Sequence, residues 1–356
     1  MPDDTHAIYV HLAMQQKGHN ALLWYTADFP TQQTHTFEIN QHTTQWTAQG
    51  KHFSIKDQNI DLVWYRRPRA PVLSKALHVD DTKNSEKENR ALFQGLWNII
   101  APNALWINAS ENARKVNCKA LQLEVAKKCG LNIPKTLISN SPFKIKEFIR
   151  ANGLNKTIYK TFYPLAWKPT SNSVHITYVK VVTERSLPPD HLLQSTPGIF
   201  QEKINKAFEL RITYFGIYAV AAKLRSQEHP DGKFDWRAIP DDELRVDFYD
   251  LPSDIDHKCR MFMSHFGLLF GCFDFIVTPD NEYYFLEINE QGQFLWVEHL
   301  NPEIKMLDIF TQFLINKNKN FQYREETNSV SITDFSKEIL QFTEVALKSH
   351  LSPELW

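Results

Sequence analysis

Two β-rich runs that meet at a tight turn constrain this chain more than any other feature. They lie in Gly271-Cys-Phe-Asp-Phe-Ile-Val-Thr-Pro-Asp-Asn-Glu-Tyr-Tyr-Phe-Leu-Glu-Ile-Asn289. Pro279, Asp280 and Asn281 carry turn chemistry between residues of high strand preference, which predicts an antiparallel hairpin. With Thr278 paired to Tyr283, Asp274 stands directly opposite Glu287. Side chains alternate along a strand, so Glu287 and Asn289 share a face with Asp274. The opposite face collects Phe273, Phe275, Val277, Tyr284, Leu286 and Ile288, all suited to burial. Two carboxylates facing each other across strands repel. A hard divalent cation reverses that sign, and Mg²⁺ takes one or two carboxylates together with substrate phosphates. Geometry alone leaves two readings open: a metal site, or a solvated face on which acids happen to align.

The 356 residues exceed one ordinary core and predict two or three packed units. Forty basic residues against 41 acidic ones leave no global field for nucleic acid. Cys118, Cys129, Cys259 and Cys272 show no Cys-x-x-Cys spacing and read as reduced thiols. With no signal-like segment near residue 1 and no long apolar run, the expectation is a cytoplasmic protein without membrane contact. The 14 histidines lack metal-ligand spacing, so zinc is not expected.

The pattern predicts an α/β (α+β) chain in four parts. Residues 1–110 read as a small α/β unit: a helix over 7–14 capped near Gly18, a strand at 21–25, and short antiparallel strands within 31–58. A strand at 61–65 runs into Arg66, Arg67 and Arg69, placing three guanidiniums at a strand end, where α/β folds bind ligands. A charged surface stretch over 80–90 leads into a helix carrying Leu92 to Ile100, before a strand at 105–108. Residues 111–198 form a second unit, with helices at 117–129 and 142–152 and strands at 136–138, 157–160 and 176–182. A strand over 199–204 opens the third unit, 199–325, followed by a strand over 210–222, a helix at 255–267, the hairpin, and an amphipathic helix at 301–317. Residues 326–356 form a helical extension with a helix at 331–348.

Read in order, several segments carry a family resemblance. D-F-I-V-T-P-D-N-E-Y-Y-F-L-E-I-N-E-Q-G-Q-F-L-W-V-E (274–298) resembles the C-terminal signature of RimK-like ATP-grasp ligases, closest to the microviridin-type ligases that cross-link ribosomal precursor peptides into graspetides. W-Y-R-R-P-R-A-P (64–71), K-A-L-Q-L-E-V-A-K-K-C-G-L-N-I-P-K-T-L-I-S-N (119–140), I-Y-K (158–160), Q-E-K-I (201–204), E-L-R-I-T (209–213) and D-W-R (235–237) are similar to that subfamily in the same order. The resemblance implies a pre-ATP-grasp domain, a central lid-like domain and a C-terminal domain, with ATP between the last two. It implies that Lys119 and Lys160 bind phosphate and that Gln201, Glu202, Lys203 and Ile204 form an adenine-reading hinge. It further implies that Glu209 binds ribose, that Arg211 and Lys160 serve the phosphoryl transfer, and that Asp274, Glu287 and Asn289 hold Mg²⁺.

The partner implied is a ribosomal precursor peptide with an acidic core, with a homodimer allowed for. Its Asp and Glu carboxyls would become acyl phosphates and then esters or amides with Ser/Thr hydroxyls or Lys amines. Arg66, Arg67, Arg69 and Arg237 are the candidates for the peptide carboxylates, since Arg forks bind them bidentately; the plainer reading of each is a surface salt bridge. Glu202, Glu290 and the Asp235 region are candidates for the general base. The chain departs from the family after Lys160, where residues 161–178 lack glycine, which leaves Lys168 without an assigned role. Glu290 also replaces the small residue or proline expected after the metal-binding Asn. Two other functions stay open: a RimK-like ligase that adds an amino acid to a carboxylate, and a nucleotide-binding module without catalysis.

Overall fold

The computed structural model describes residues 1–51, 53–56, 60–162, 166–167, 175–176, 179–240 and 242–352. Lys168 lies outside the described residues.

Helix α1 (Thr5–Gln16) starts where the Asp4 side chain accepts the Ala7 N–H, and it stops before Gly18, whose φ of +80° closes the C-terminus. Strands β1 (Gln33–Ile39), β2 (Thr44–Gly50) and β3 (Ser54–Lys56) form an antiparallel meander. The strand expected at 21–25 is absent. That run is apolar because its aromatics pack, not because its backbone pairs: Trp24 sits against Trp46 and Trp97 and donates its indole N–H to Gln33. Strand β4 (Leu62–Trp64) pairs in parallel with β5 (Leu105–Ile107). Between them runs α2 (Val79–Leu96). The charged stretch 80–90 is thus part of the helix, with Asp80 and Asp81 favourably placed at its positive end, and the helix stops before Ile100.

Helices α3 (Ser110–Val116) and α4 (Lys119–Lys128) lead into β6 (Thr136–Ser139), α5 (Pro142–Asn152), β7 (Thr157–Lys160), β8 (Ala166–Trp167), β9 (His175–Ile176), β10 (Lys180–Val182), α6 (Asp190–Ser195) and β11 (Gly198–Glu202). Ser141 caps α5 with Pro142 in its first turn, which is why its limits are readable from sequence. The antiparallel sheet has the order β10-β7-β11-β6. Strand β11 therefore does not open the third unit, as expected, but sits inside the sheet of the second. Local sequence carries no record of which sheet a buried strand joins.

The third sheet has the order β14-β13-β12-β15-β16 and contains β12 (Phe208–Phe215), β13 (Tyr218–Leu224), β14 (Val246–Phe248), β15 (Phe270–Val277) and β16 (Tyr283–Asn289). The single strand expected over 210–222 is a hairpin. It turns at Gly216, where φ is +62° and an added Cβ would lie 2.3 Å from the Lys319 carbonyl oxygen. One sheet face, with Leu210, Ile212, Tyr214, Phe273 and Phe275, packs on α4 and on α7 (Ser253–Phe266). The other face is apolar around Phe215 and Phe270, where it meets α8 (Leu295–Leu300) and α9 (Met306–Asn316), and becomes charged at Arg211 and Asp274. Each fully buried phenylalanine there contributes roughly 1.5–3 kcal/mol.

The helix expected over 301–317 starts only at Met306, and α9 is buried along nearly its whole length instead of amphipathic. Its polar residues are satisfied internally. Asp308 takes the Val330 N–H at 3.1 Å, the Tyr323 hydroxyl at 3.0 Å and Lys17 at 3.1 Å. Helix α10 (Glu338–Ser349) starts later than the expected 331 because Ile332–Phe335 form a separate 3₁₀ turn. Among the described residues no helix is long and apolar enough to cross a membrane.

His6 on α1 ties the N-terminal helix to the site-bearing unit. Its Nε2 accepts the N–H groups of Phe294 at 2.9 Å and Leu295 at 3.1 Å. Burial, reinforced by Arg66 and opposed by Asp4, lowers its pKa to about 3. A folded pKa below the unfolded value means that the neutral ring's contribution is complete above about pH 6.5 and is lost as pH falls toward 3. The loss is about 1.4 kcal/mol per pH unit in that window. Denaturant unfolding at pH 7 and pH 5 should therefore show a pH-dependent loss that the His6→Gln variant, which keeps an acceptor but does not titrate, largely lacks.

Candidate active site

The hairpin of β15 and β16 pairs Asp274 with Glu287, as the sequence implies, but reaches that register by another route. Val277, not Thr278, faces Tyr283, and a bulge between Asp274 and Phe275 restores the offset. The extra residue changes which side chains face inward. Phe285 is fully buried in the core, whereas Tyr284 and Leu286, expected on the core face, are only partly buried, with Leu286 lining the cleft. Strand β12 continues the row, because Arg211 pairs with Asp274. Three adjacent strands thus place Arg211, Asp274 and Glu287 side by side, above a cleft of about 340 Å³.

Each carboxylate in that row meets a cation. Arg211 Nη1 donates to both oxygens of Asp274 at 2.8 Å, and its Nη2 donates to the Gln293 carbonyl at 2.9 Å. The chain comes this close because Gly292 has no side chain: an added Cβ would lie 2.5 Å from Cys272 Sγ and 3.1 Å from Arg211 Nη2. Burial raises the Asp274 pKa, with Glu287 adding to the effect and Arg211 opposing it. For Glu287, burial is outweighed by Lys119 and Lys160, so its carboxyl lies below the ordinary value. Lys119 Nζ donates to Glu287 at 2.6 Å.

Gln122 fixes Lys119 in place, a role that sequence reasoning missed. Its amide donates to the carbonyls of Val116 and Ile288 and accepts the Ile288 N–H, clamping the first turn of α4 onto β16. The available signal was its spacing, one turn after Lys119 on the same helix face.

From the second sheet, Lys160 enters the cleft opposite that row and has no hydrogen-bond or ion-pair partner among the described residues. Burial lowers its pKa, Arg237 and Lys119 lower it further, and Glu287 opposes them. Gln201, Glu202, Lys203 and Ile204 line the adjoining wall with Pro134, Ile158, Val179 and Ile276. Glu209 is buried and accepts from Lys206 at 2.6 Å and Ser226 at 2.9 Å; burial outweighs both and raises its pKa. Neither Lys206 nor Ser226 was singled out in the sequence.

Asn289 lines the cleft beside Asp274 and Glu287, and its Oδ1 accepts the Gln291 N–H at 3.2 Å. Two carboxylates and an amide oxygen make an all-oxygen donor set that suits a hard cation such as Mg²⁺. The need for positive charge at this point is visible in the ion pairs that Arg211 and Lys119 make there.

The candidates for carboxylate recognition separate clearly. Arg66 is not available for a ligand. It is buried, pairs with Asp4 at 2.9 Å and donates to the Gln291 carbonyl at 2.8 Å, so it clamps the turn after β16 to α1. Arg69 is not among the cleft residues and packs against Met1. Arg67 lines the cleft, held by a bond from its N–H to Gln291 Oε1. Arg237 also lines the cleft and pairs with Asp235 at 2.6 and 2.8 Å, which raises its pKa and keeps it charged. Of the general-base candidates, Glu202 and Asp235 reach the cleft, whereas Glu290 is buried apart from it against Asn117 at 2.7 Å.

A family model described as the MvdD pre-ATP grasp domain matches residues 2–114. No curated protein sequence matches the chain. Among solved structures, macrocyclase MdnC of Microcystis aeruginosa MRC, bound with precursor peptide MdnA, is 30% identical with a TM-score of 0.77, covering 89% of this chain and 97% of MdnC. A RiPP-associated ATP-grasp ligase of Chryseobacterium gregarium, in complex with ADP and a leader and core peptide, is 25% identical with a TM-score of 0.78, over 90% of this chain and 95% of that one. Macrocyclase MdnB of the same Microcystis strain is 26% identical with a TM-score of 0.71, over 88% and 96%. With that identity sustained over nearly the whole length of MdnC, the chain belongs to the microviridin-type (graspetide) branch of the ATP-grasp ligases.

Proposed function

We propose that this protein uses ATP and Mg²⁺ to phosphorylate Asp and Glu side chains of a ribosomal precursor peptide and then joins them to Ser/Thr hydroxyls or Lys amines. The observation that carries the reading is the row of Arg211, Asp274 and Glu287 across three strands, with Lys119 and Lys160 converging on it from two other elements. Asp274, Glu287 and Asn289 would hold the Mg²⁺, which would neutralise charge on the transferring phosphoryl group. Lys119, Lys160 and Arg211 orient the γ-phosphoryl group and stabilise its spreading charge by position. Glu209 takes the ribose hydroxyls in this reading, and the wall from Gln201 to Ile204 takes the base.

Arg67 and Arg237, the two arginines of the candidate set that line the cleft, bind the peptide carboxylates and suit an acidic core. Attack by a hydroxyl or amine on the acyl carbon expels phosphate, and the proton of the nucleophile passes to Asp235. In this reading β11 carries the hinge between central and C-terminal units, and the protein works in the cytoplasm. A homodimer is compatible with it.

The test uses the purified full chain with ATP, Mg²⁺ and the peptide encoded beside its gene. Each closed link should lower the peptide mass by one water and release one ADP. Growth of the acceptor by whole amino acids would select the RimK-like alternative. Absence of any ADP release, with function retained in Asp274→Asn and Glu287→Gln, would select a non-catalytic nucleotide module.

A further inference from the structure

Two indoles line the cleft without a part in the proposed chemistry. The rings of Trp236 and Trp296 stack at 4.7 Å between centroids and 27° between planes. A stack of this kind prefers one separation and one tilt, so it transmits position between the elements that carry the two rings.

Those elements carry different parts of the reaction. Trp236 opens a 3₁₀ turn (Trp236–Ala238) and sits between Asp235 and Arg237. The Asp235 carboxylate accepts the Arg237 backbone N–H at 3.2 Å, and the Arg237 guanidinium closes onto the same carboxylate at 2.8 and 2.6 Å. The turn is thus braced within itself, and the proton acceptor and the carboxylate-binding guanidinium shift together. Trp296 stands in the first turn of α8, and its Nε1 donates to the Gln293 carbonyl at 3.1 Å. That carbonyl also accepts Arg211 Nη2 at 2.9 Å, and Arg211 holds Asp274. One chain of contacts therefore runs from the turn through both indoles and Gln293 to the charged row. The flanks of the turn have anchors of their own: Lys206 donates to the Phe234 carbonyl at 3.2 Å, and Ile239 is buried in the core. Loss of the stack would then shift the turn and leave its surroundings folded.

We infer that the Trp236–Trp296 stack positions Asp235 and Arg237 against the phosphoryl-transfer row, so that the acyl phosphate is captured by the peptide nucleophile before water reaches it. This rests on the ligase reading proposed above and adds to it the residues that couple its two half-reactions. Attack by the peptide hydroxyl or amine expels phosphate and closes the link, with one water lost from the peptide mass. Attack by water expels the same phosphate but restores the carboxylate, so ATP is consumed and the peptide mass is unchanged. The indoles touch no reacting atom in this scheme; they are positioning residues.

The experiment counts ADP released and links closed in the same reaction of the full chain, at saturating precursor peptide with ATP and Mg²⁺. The wild-type protein should release close to one ADP per link. Trp236→Leu removes the stack and should slow link closure by about 10- to 100-fold, since a misplacement of about 1 Å costs up to about 10²-fold. ADP release should fall by less, so the ratio of ADP to links should rise several-fold. Trp236→Phe keeps a stacking face and should bring the ratio back toward one. Trp296→Phe keeps a ring but lacks the N–H that reaches Gln293, and its ratio should lie between those of wild type and Trp236→Leu. A purely structural role would lower both counts together. A ratio of one in Trp236→Leu therefore overturns the proposal while leaving the ligase reading in place. Should that variant not fold, a ratio of one in Trp296→Phe overturns it. A wild-type protein that closes no links overturns the ligase reading itself.

Discussion

Glu287→Gln should lower the rate of ADP formation by about 10²- to 10³-fold, the usual cost of removing one well-placed electrostatic contact to developing charge, while the fold stays intact. The structure separates these two effects. The Glu287 carboxylate is 40% exposed and its partner Lys119 is 25% exposed, so the ammonium left behind is reached by water. Removing an exposed partner of this kind alters stability by about 1 kcal/mol or less. Asp274→Asn should abolish activity similarly but also destabilise the protein, because Arg211 is only 6% exposed and would lose the carboxylate it pairs with. Breaking a buried pair from one side costs about 3–5 kcal/mol. Steady-state ADP release together with guanidinium unfolding of both variants checks the contrast. Equal loss of stability in the two variants, or a fully active Glu287→Gln, would show that the row does not do what its geometry implies.

Asn108→Ala should have the largest effect on stability away from the cleft. The Asn108 side chain is buried and makes four bonds across the seam between the first unit and the third sheet. Its Oδ1 accepts the N–H groups of Leu269 at 2.8 Å and Phe270 at 3.1 Å, and its Nδ2 donates to the carbonyls of Phe270 at 2.8 Å and Glu290 at 3.1 Å. Truncation leaves those backbone groups without partners in a dry environment, at about 1–3 kcal/mol for each unsatisfied group. The groups are neighbours and their costs do not add fully, so a total of about 4 kcal/mol is expected. Glu290 directly follows the Asn289 end of β16, so nucleotide affinity should fall along with the unfolding midpoint. A midpoint unchanged from wild type in urea would remove Asn108 from the structural account.

The residues in these two predictions differ in how legible they are. Asp274 and Glu287 are separated by one turn, and turn chemistry with alternation points to their pairing. The pairing holds because two offsets cancel: Val277 faces Tyr283 at the turn, one residue out of the expected register, and the bulge between the turn and the pair restores it. The bulge also decides that Phe285, and not Leu286, enters the core, and no local pattern announces an inserted residue. Helix α5 was equally readable, since Ser141, Pro142 and Gly153 mark its ends within the segment itself.

Contacts between distant segments were not readable. Arg66 looks like a ligand-binding guanidinium at a strand end until its partner proves to be Asp4, 62 residues away. Strand β11 reads as the start of a unit until its neighbours turn out to be β6 and β7. Gln122 and Asn108 are ordinary amides in the sequence and become a clamp and a seam only when remote backbone meets them.

The sequence by itself determined features whose signals lie within one turn: the facing of Asp274 and Glu287, the ends of α5, and the order of motifs that marks the family, though not the equally local hairpin of β12 and β13. Only the tertiary structure decided which cations meet those carboxylates, which arginines line the cleft and which sheet forms its far wall. The physical reason is range. Alternation and capping act over a few residues, whereas burial and the pairing of charges depend on which distant segments exclude water together.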